Sequence, residues 1–199
     1  MAEEPFCGPP TRTELSHLPK AANELSTILR VCNGFFAFSQ ALRVFPLRTL
    51  PASFWLREWN SPELWRMSYE RLINEEYFFA EDIFGNQFSI EDEGCFRFDA
   101  ETGAKEKISS TLDGWADHIL REPDLLTGGT MAATWQEERG PLNARDRVIP
   151  LQPFVLGGEF QLTNLIQIEA AEGMRRRGPL AVQIHDLPEG SEVTINIVE

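Results

Sequence analysis

Tyr77-Phe78-Phe79-Ala80-Glu81-Asp82-Ile83-Phe84-Gly85-Asn86-Gln87-Phe88-Ser89-Ile90, followed after four residues by Cys95-Phe96-Arg97-Phe98, decides the fold class. Tyr77 to Ala80 is a short apolar run, and Phe84-Gly85-Asn86 offers a turn. Gln87 to Ile90 then alternates, which puts Phe88 and Ile90 on one face of a strand. Phe96 and Phe98 share a face in the same way. Turn residues follow at Asp99 and at Glu101-Thr102-Gly103. Three successive strands joined by tight turns predict an antiparallel meander.

Outward from the meander, helical periods dominate. Before it, Leu25, Ile28, Leu29 and Cys32 recur at i, i+3, i+4 and i+7, predicting a helix over 19–32 that opens on Pro19 and stops at Gly34. Phe35–Phe38 and Leu42–Phe45 suggest a short strand pair. Ser61, Pro62 and Glu63 are a helix start signal, with Trp65, Tyr69, Leu72 and Ile73 on one inward face. After the meander, Ser110 with Asp113 resembles a capping box for a helix carrying Leu112, Trp115, Ala116, Ile119 and Leu120, ended by Pro123. Thr130–Arg139 predicts a short helix with Met131 and Trp135. Val148–Pro150, Phe154–Leu156 and Leu165–Ile168 look strand-like. Ala170–Ile184 predicts a last helix interrupted at Gly178-Pro179, and Val193, Ile195 and Ile197 a closing strand. Met1–Glu14, rich in proline, is expected to be a flexible arm before a single α+β domain over 15–199.

The bulk composition fits one globular domain. The chain has 199 residues, of which 42% are hydrophobic and 25% charged, enough for a core without disulfides or metals. Met1-Ala2-Glu3-Glu4-Pro5 is unlike the basic start of a secretory signal, and no apolar run reaches the ~20 residues of a membrane helix, so a cytoplasmic protein is expected. Cys7, Cys32 and Cys95 are odd in number and lack CxxC spacing; Cys32 and Cys95 read as small buried hydrophobes. A zinc site needs clustered ligands, whereas His17, His118 and His185 are scattered, so neither metal nor cofactor is expected.

The net charge is −13, which opposes binding to nucleic acid or anionic membranes. Most of the excess lies between Glu75 and Asp124, where 14 acids face 4 basic residues. Catalysis finds little support in the motifs. Glu75-Glu76, Glu81-Asp82 and Glu91-Asp92-Glu93 are paired acids, but neighbours on a strand point to opposite faces and fit a solvated strand end better than an acid–base pair. No Gly-x-Ser-x-Gly elbow occurs, and Gly157-Gly158 lacks the Lys or Ser/Thr of a phosphate loop. Arg175-Arg176-Arg177 diverge around a helix and fit a solvated face or salt bridges to the acidic meander. Trp55 and Trp59, in a less periodic stretch, fit the core, or would anchor a partner if exposed.

Tyr77–Phe88, Phe98-Asp-Ala-Glu-Thr-Gly103, Trp115 in its capped helix, Pro153–Glu159 followed by Asn164-Leu165, and Asp186-Leu-Pro-Glu-Gly190 together resemble the SUKH superfamily (the yeast Smi/Knr-type domain) in order and spacing. The resemblance implies a central, largely antiparallel sheet flanked by helices, and no shared catalytic residues. In bacteria it implies an immunity protein that binds and neutralises a cognate toxin domain. With it, Glu81, Asp82, Glu91, Asp92, Glu93, Asp99 and Glu101 become a candidate surface for a basic, nuclease-type toxin; without it they fit a solvated sheet edge guarded against aggregation. The alternative is a cytosolic regulatory or adaptor module with no immunity role. A deep pocket holding a carboxylate or histidine of perturbed pKa would instead favour a small-molecule enzyme.

Overall fold

A computed structural model describes residues 8–48, 53–188 and 190–191. Of the predicted N-terminal arm, residues 8–14 fall within it, and they are tied down. Thr11 caps the helical turn α1 (Arg12–Leu15) in a reciprocal box with Glu14. Asn33 and Arg48 donate to the carbonyls of Gly8 and Pro9, and Leu15 is buried. The closing strand over Val193–Ile197 and Cys7 lie outside the described residues.

The apolar stripe predicted over 19–32 forms as a 3₁₀ turn, Lys20–Ala22, followed by α2 (Leu25–Val31), which buries Leu25 and Leu29. Strands β1 (Phe35–Ala37) and β2 (Leu42–Val44) pair as predicted and continue into β3 (Tyr77–Glu81), β4 (Gln87–Glu91), β5 (Gly94–Phe98) and β6 (Lys105–Ser109). The sheet order is β1-β2-β3-β4-β5-β6, antiparallel throughout. Between β2 and β3 come α3 (Leu56–Trp59) and a 3₁₀ segment, Arg66–Leu72.

Both faces of this sheet are covered, which explains why β3 reads as an apolar run and not a clean alternation. On one face Phe78 and Phe98 meet Trp65 and Tyr69. On the other, Phe79 and Phe88 meet Trp115 from α4 (Leu112–Arg121). Register places Phe88 opposite Arg97 and Phe98 opposite Gln87, so Phe88 and Phe98 lie on opposite faces, as the alternation requires. Strand β6 escapes a hydrophobicity reading because its first three residues are Lys-Glu-Lys and exposed. It is an edge, where charge protects against pairing with another chain.

Beyond the sheet lie α5 (Pro123–Thr127), α6 (Gly129–Arg139), a two-stranded sheet of β7 (Asp146–Pro150) and β8 (Leu165–Glu169), and α7 (Ala170–Ile184). Four predictions need correction. The segment after Ser61 is 3₁₀ and not α, broken at Glu70 (φ 47°); the Ser61 hydroxyl donates to Glu63 Oε2, and Arg66 is drawn away to the carbonyls of Asn74 and Glu76. Thr111, not Ser110, caps α4 by accepting from Gly114 N–H. Phe154–Leu156 is a 3₁₀ turn between Pro153 and Gly157, not a strand. Helix α7 runs through Pro179 without a break. An interior proline costs about 3 kcal/mol, and α7 offsets it by burying Ala170, Met174, Arg177, Gly178, Ala181 and Ile184 along one side.

Candidate functional site

The two sheets meet at a buried ion cluster. Glu81, at the end of β3, is fully buried, accepts from Arg43 of β2 and forms an ion pair at 2.6 Å with Arg147 Nε of β7. Gln87 of β4 donates to its other oxygen at 3.1 Å and itself accepts from Trp59 Nε1. Arg43 also donates to Ala144 O and lies over the ring of Phe45. Burial first, then the neighbouring Arg147, lowers the pKa of Arg43, and Glu81 opposes that shift. The cluster is enclosed on all sides, so it serves as a latch between sheets and not as a place for a ligand. Glu81 therefore leaves the predicted surface patch, and its solvated strand end is a buried one.

Asp82 and the residues after it build a cleft. Asp82 is 1% exposed. Its Oδ1 accepts from the amides of Phe84 and Asn86, and its Oδ2 from Asn86 Nδ2 and Arg97. Burial raises its pKa against the pull of Arg97 and Asn86. Asn86 Oδ1 accepts from Ala100 N–H, tying this turn to the next. That next turn is organised by Asp99, whose Oδ1 accepts from the amides of Glu101 and Thr102 and from the Thr102 hydroxyl. Such Asx turns are the local reason that Asp-Ala-Glu-Thr-Gly folds as it does.

Arg177 closes the floor. Its Nε donates to Gly173 O at 3.0 Å and its Nη1 to Phe84 O at 2.6 Å. Gly85 (φ 77°) makes this approach possible, because a Cβ there would stand 2.7 Å from Arg177 Nη2. The triple arginine thus divides, as the divergence of successive helix positions requires. Arg175 and Arg176 pair with Glu172 on their own helix, while Arg177 is buried under the β3–β4 turn.

Together these groups line a cleft of about 730 Å³, walled by the β3–β4 and β5–β6 turns, the α5–α6 junction, α7 and the loop between β7 and β8. Phe84, Phe154 and Phe160 form one wall, with ring centroids 5.4–5.9 Å apart. Leu125, Val155 and Phe160 stand exposed around it. A concave, mostly apolar site with a few convergent polar groups is the usual form of a binding site.

The structure brings Asp82, Asp99 and Glu101 of the predicted patch to this cleft. Asp82 and Glu101 are buried there, a correction to their expected exposure. Glu101 Oε2 accepts from Val155 N–H at 2.9 Å. Glu91 is partly buried and paired with Lys105. Asp92 and Glu93 are exposed at the tip of the β4–β5 hairpin, apart from the cleft. Trp59 is core, and Trp55 is half-buried beside α3. Cys95 is buried and Cys32 partly so. Among the described residues, no group of three His, Cys, Asp or Glu side chains is placed to hold a metal ion, and no helix is long and apolar enough to cross a membrane. Sequence pattern does not single out Phe160, Leu125 or Arg177 as site residues; a phenylalanine just after Gly157-Gly158 is the one available signal.

No known protein family matches the sequence, and no curated protein does. The fold has solved company. The crystal structure of Atu4351 from Agrobacterium tumefaciens superposes with a TM-score of 0.52 at 10% identity, covering 89% of this chain and 85% of that one. At that identity the likeness concerns the fold alone.

Proposed function

We propose that the chain is a non-enzymatic immunity protein that neutralises a cognate toxin domain by direct contact, the role that the SUKH resemblance implies. The observation that carries the reading is the rim of the cleft. Leu125, Val155 and Phe160 leave 71%, 43% and 59% of their surface exposed around a charged floor. Apolar side chains gathered at a concavity, with polar groups behind them, are how partner proteins are anchored. The net charge of −13 supports a basic partner, since complementary charge speeds encounter. Of the predicted patch, Asp92 and Glu93 are the exposed acids, and Asp124 is an exposed acid of the cleft lining.

A second reading has one observation in its favour. The cleft holds carboxyls whose pKa burial raises, Asp82 and Glu101, as a general acid or base requires. Asp82 is saturated by donors, which leaves Glu101 as the candidate for such a role. The test is capture of partners by the tagged chain from its native host at low and high salt. A single stoichiometric partner carrying a toxin domain, weakened at high salt, supports the immunity role. No specific partner at either salt overturns it and favours a ligand screen on the Glu101 side of the cleft.

A further inference from the structure

One oxygen in the cleft wall has no use within the fold. Glu101 is 7% exposed, and its Oε1 is buried without a hydrogen-bond partner while Oε2 takes the Val155 amide. A buried carboxylate oxygen without a donor is costly, so a retained one calls for a cationic or donating group from outside. Burial raises the pKa of this carboxyl, and the amides of Val155 and Phe154, together with Arg177, offset only part of the shift.

The nearby cations are already engaged. Arg177 commits Nε and Nη1 to backbone carbonyls, with Nη2 against Met174 Sδ. Arg97 is tied to Asp82 through Nη2, although its Nε has no partner. Neither forms an ion pair with Glu101 among the described residues. Four carboxylates line the cleft against these two guanidiniums, so the unsatisfied charge is negative. The rings of Phe154 and Phe160, with centroids 5.5 Å apart, line the same cleft. Aromatic faces beside a carboxylate suit a planar, weakly hydrated cation better than a compact ammonium.

We propose that the cleft takes the guanidinium of an arginine presented by a protein partner, with Glu101 Oε1 as its ion-pair partner and Phe154 and Phe160 against its flat face. This rests on the protein-binding reading above and names the group that reading lacks. The probe is Nα-acetyl-arginine methylamide, titrated into the ¹⁵N-labelled full chain and followed by NMR, with the neutral citrulline and the lysine analogues beside it. Arginine is expected to shift the amides of Glu101 and Val155 and to saturate in the millimolar range. Citrulline should bind at least about tenfold more weakly, and lysine more weakly than arginine. Glu101→Gln should remove that preference for arginine over citrulline. Phe160→Ala, at an exposed position that leaves the core alone, should weaken arginine binding and serves as the deciding variant if the Gln protein misfolds. Equal shifts from citrulline, no shift at all, or unchanged arginine binding in a folded variant would overturn the inference. Should the wild type capture a protein partner that Glu101→Gln holds equally well, the guanidinium site fails while the binding role stands. Should the wild type capture no partner but still prefer arginine in the titration, the guanidinium site stands while the binding role fails.

Discussion

At Glu81 a single carboxylate lies between the guanidiniums of Arg43 and Arg147, all three fully buried. Removing it strands two positive charges in the interior, where breaking a buried pair typically costs about 3–5 kcal/mol. Glu81→Ala is therefore expected to lose roughly that much stability in a urea unfolding series, with Glu81→Gln intermediate because it keeps two polar contacts. Glu101 presents the opposite sign. Its folded pKa is raised above the ordinary 4.5, so between that value and the folded pKa the native state binds more protons than the unfolded one. Stability from this group is then present below pH 4.5 and lost as pH rises through the folded pKa. Glu101→Gln should be stabilising near neutral pH and nearly neutral in effect at pH 4, as thermal unfolding at the two pH values would reveal. Loss of stability at pH 7 would mean that the charge is used within the fold after all.

Element by element, the packing of α7 on the 3₁₀ segment 66–72 is a close approach that sequence pattern could not foresee. A Cβ on Gly178 would stand 2.5 Å from Ser68 O and 2.7 Å from Ser68 C, both backbone atoms that cannot swing aside. At Gly173 the nearest atoms are side-chain methyls at 3.4 Å. Gly178→Ala should thus destabilise by about 1–3 kcal/mol, while Gly173→Ala, in the same helix, should be neutral or better because alanine favours helix; chemical denaturation of the pair checks both. The meander is legible because its turns are made by local chemistry: Asp82 and Asp99 hold their own neighbours' amides. The segment after Ser61 is not, because its apolar spacing suits a helix while its backbone answers to distant groups, Arg66 to Glu76 and Gly178 to Ser68. Strand β6 and the turn at Phe154 likewise depend on what they lie beside and not on their own period. Of the candidate site, Asp99, Glu101 and Asp82 can be named from sequence, but the burial of Asp82 and Glu101 cannot. That depends on Arg177 and on the β7–β8 loop, both distant in sequence.

For the whole molecule, the proposed function has the acidic surplus and the cleft divide the work of recognition. On that proposal, surface acids such as Asp92 and Glu93 act at long range, and salt should slow association through them with little change in dissociation. Reversing both to lysine is expected to lower the association rate constant and its salt dependence, as stopped-flow mixing with the captured partner would show. On the same proposal the cleft rim acts at contact. The affinity of that purified partner for the wild type and for Phe160→Ala, compared by titration calorimetry, tests the binding role of the cleft most directly. Phe160 as an anchor predicts a loss of at least about tenfold with the fold intact. Unchanged affinity in a folded Phe160→Ala protein would place the contact elsewhere and contradict the assignment of the cleft.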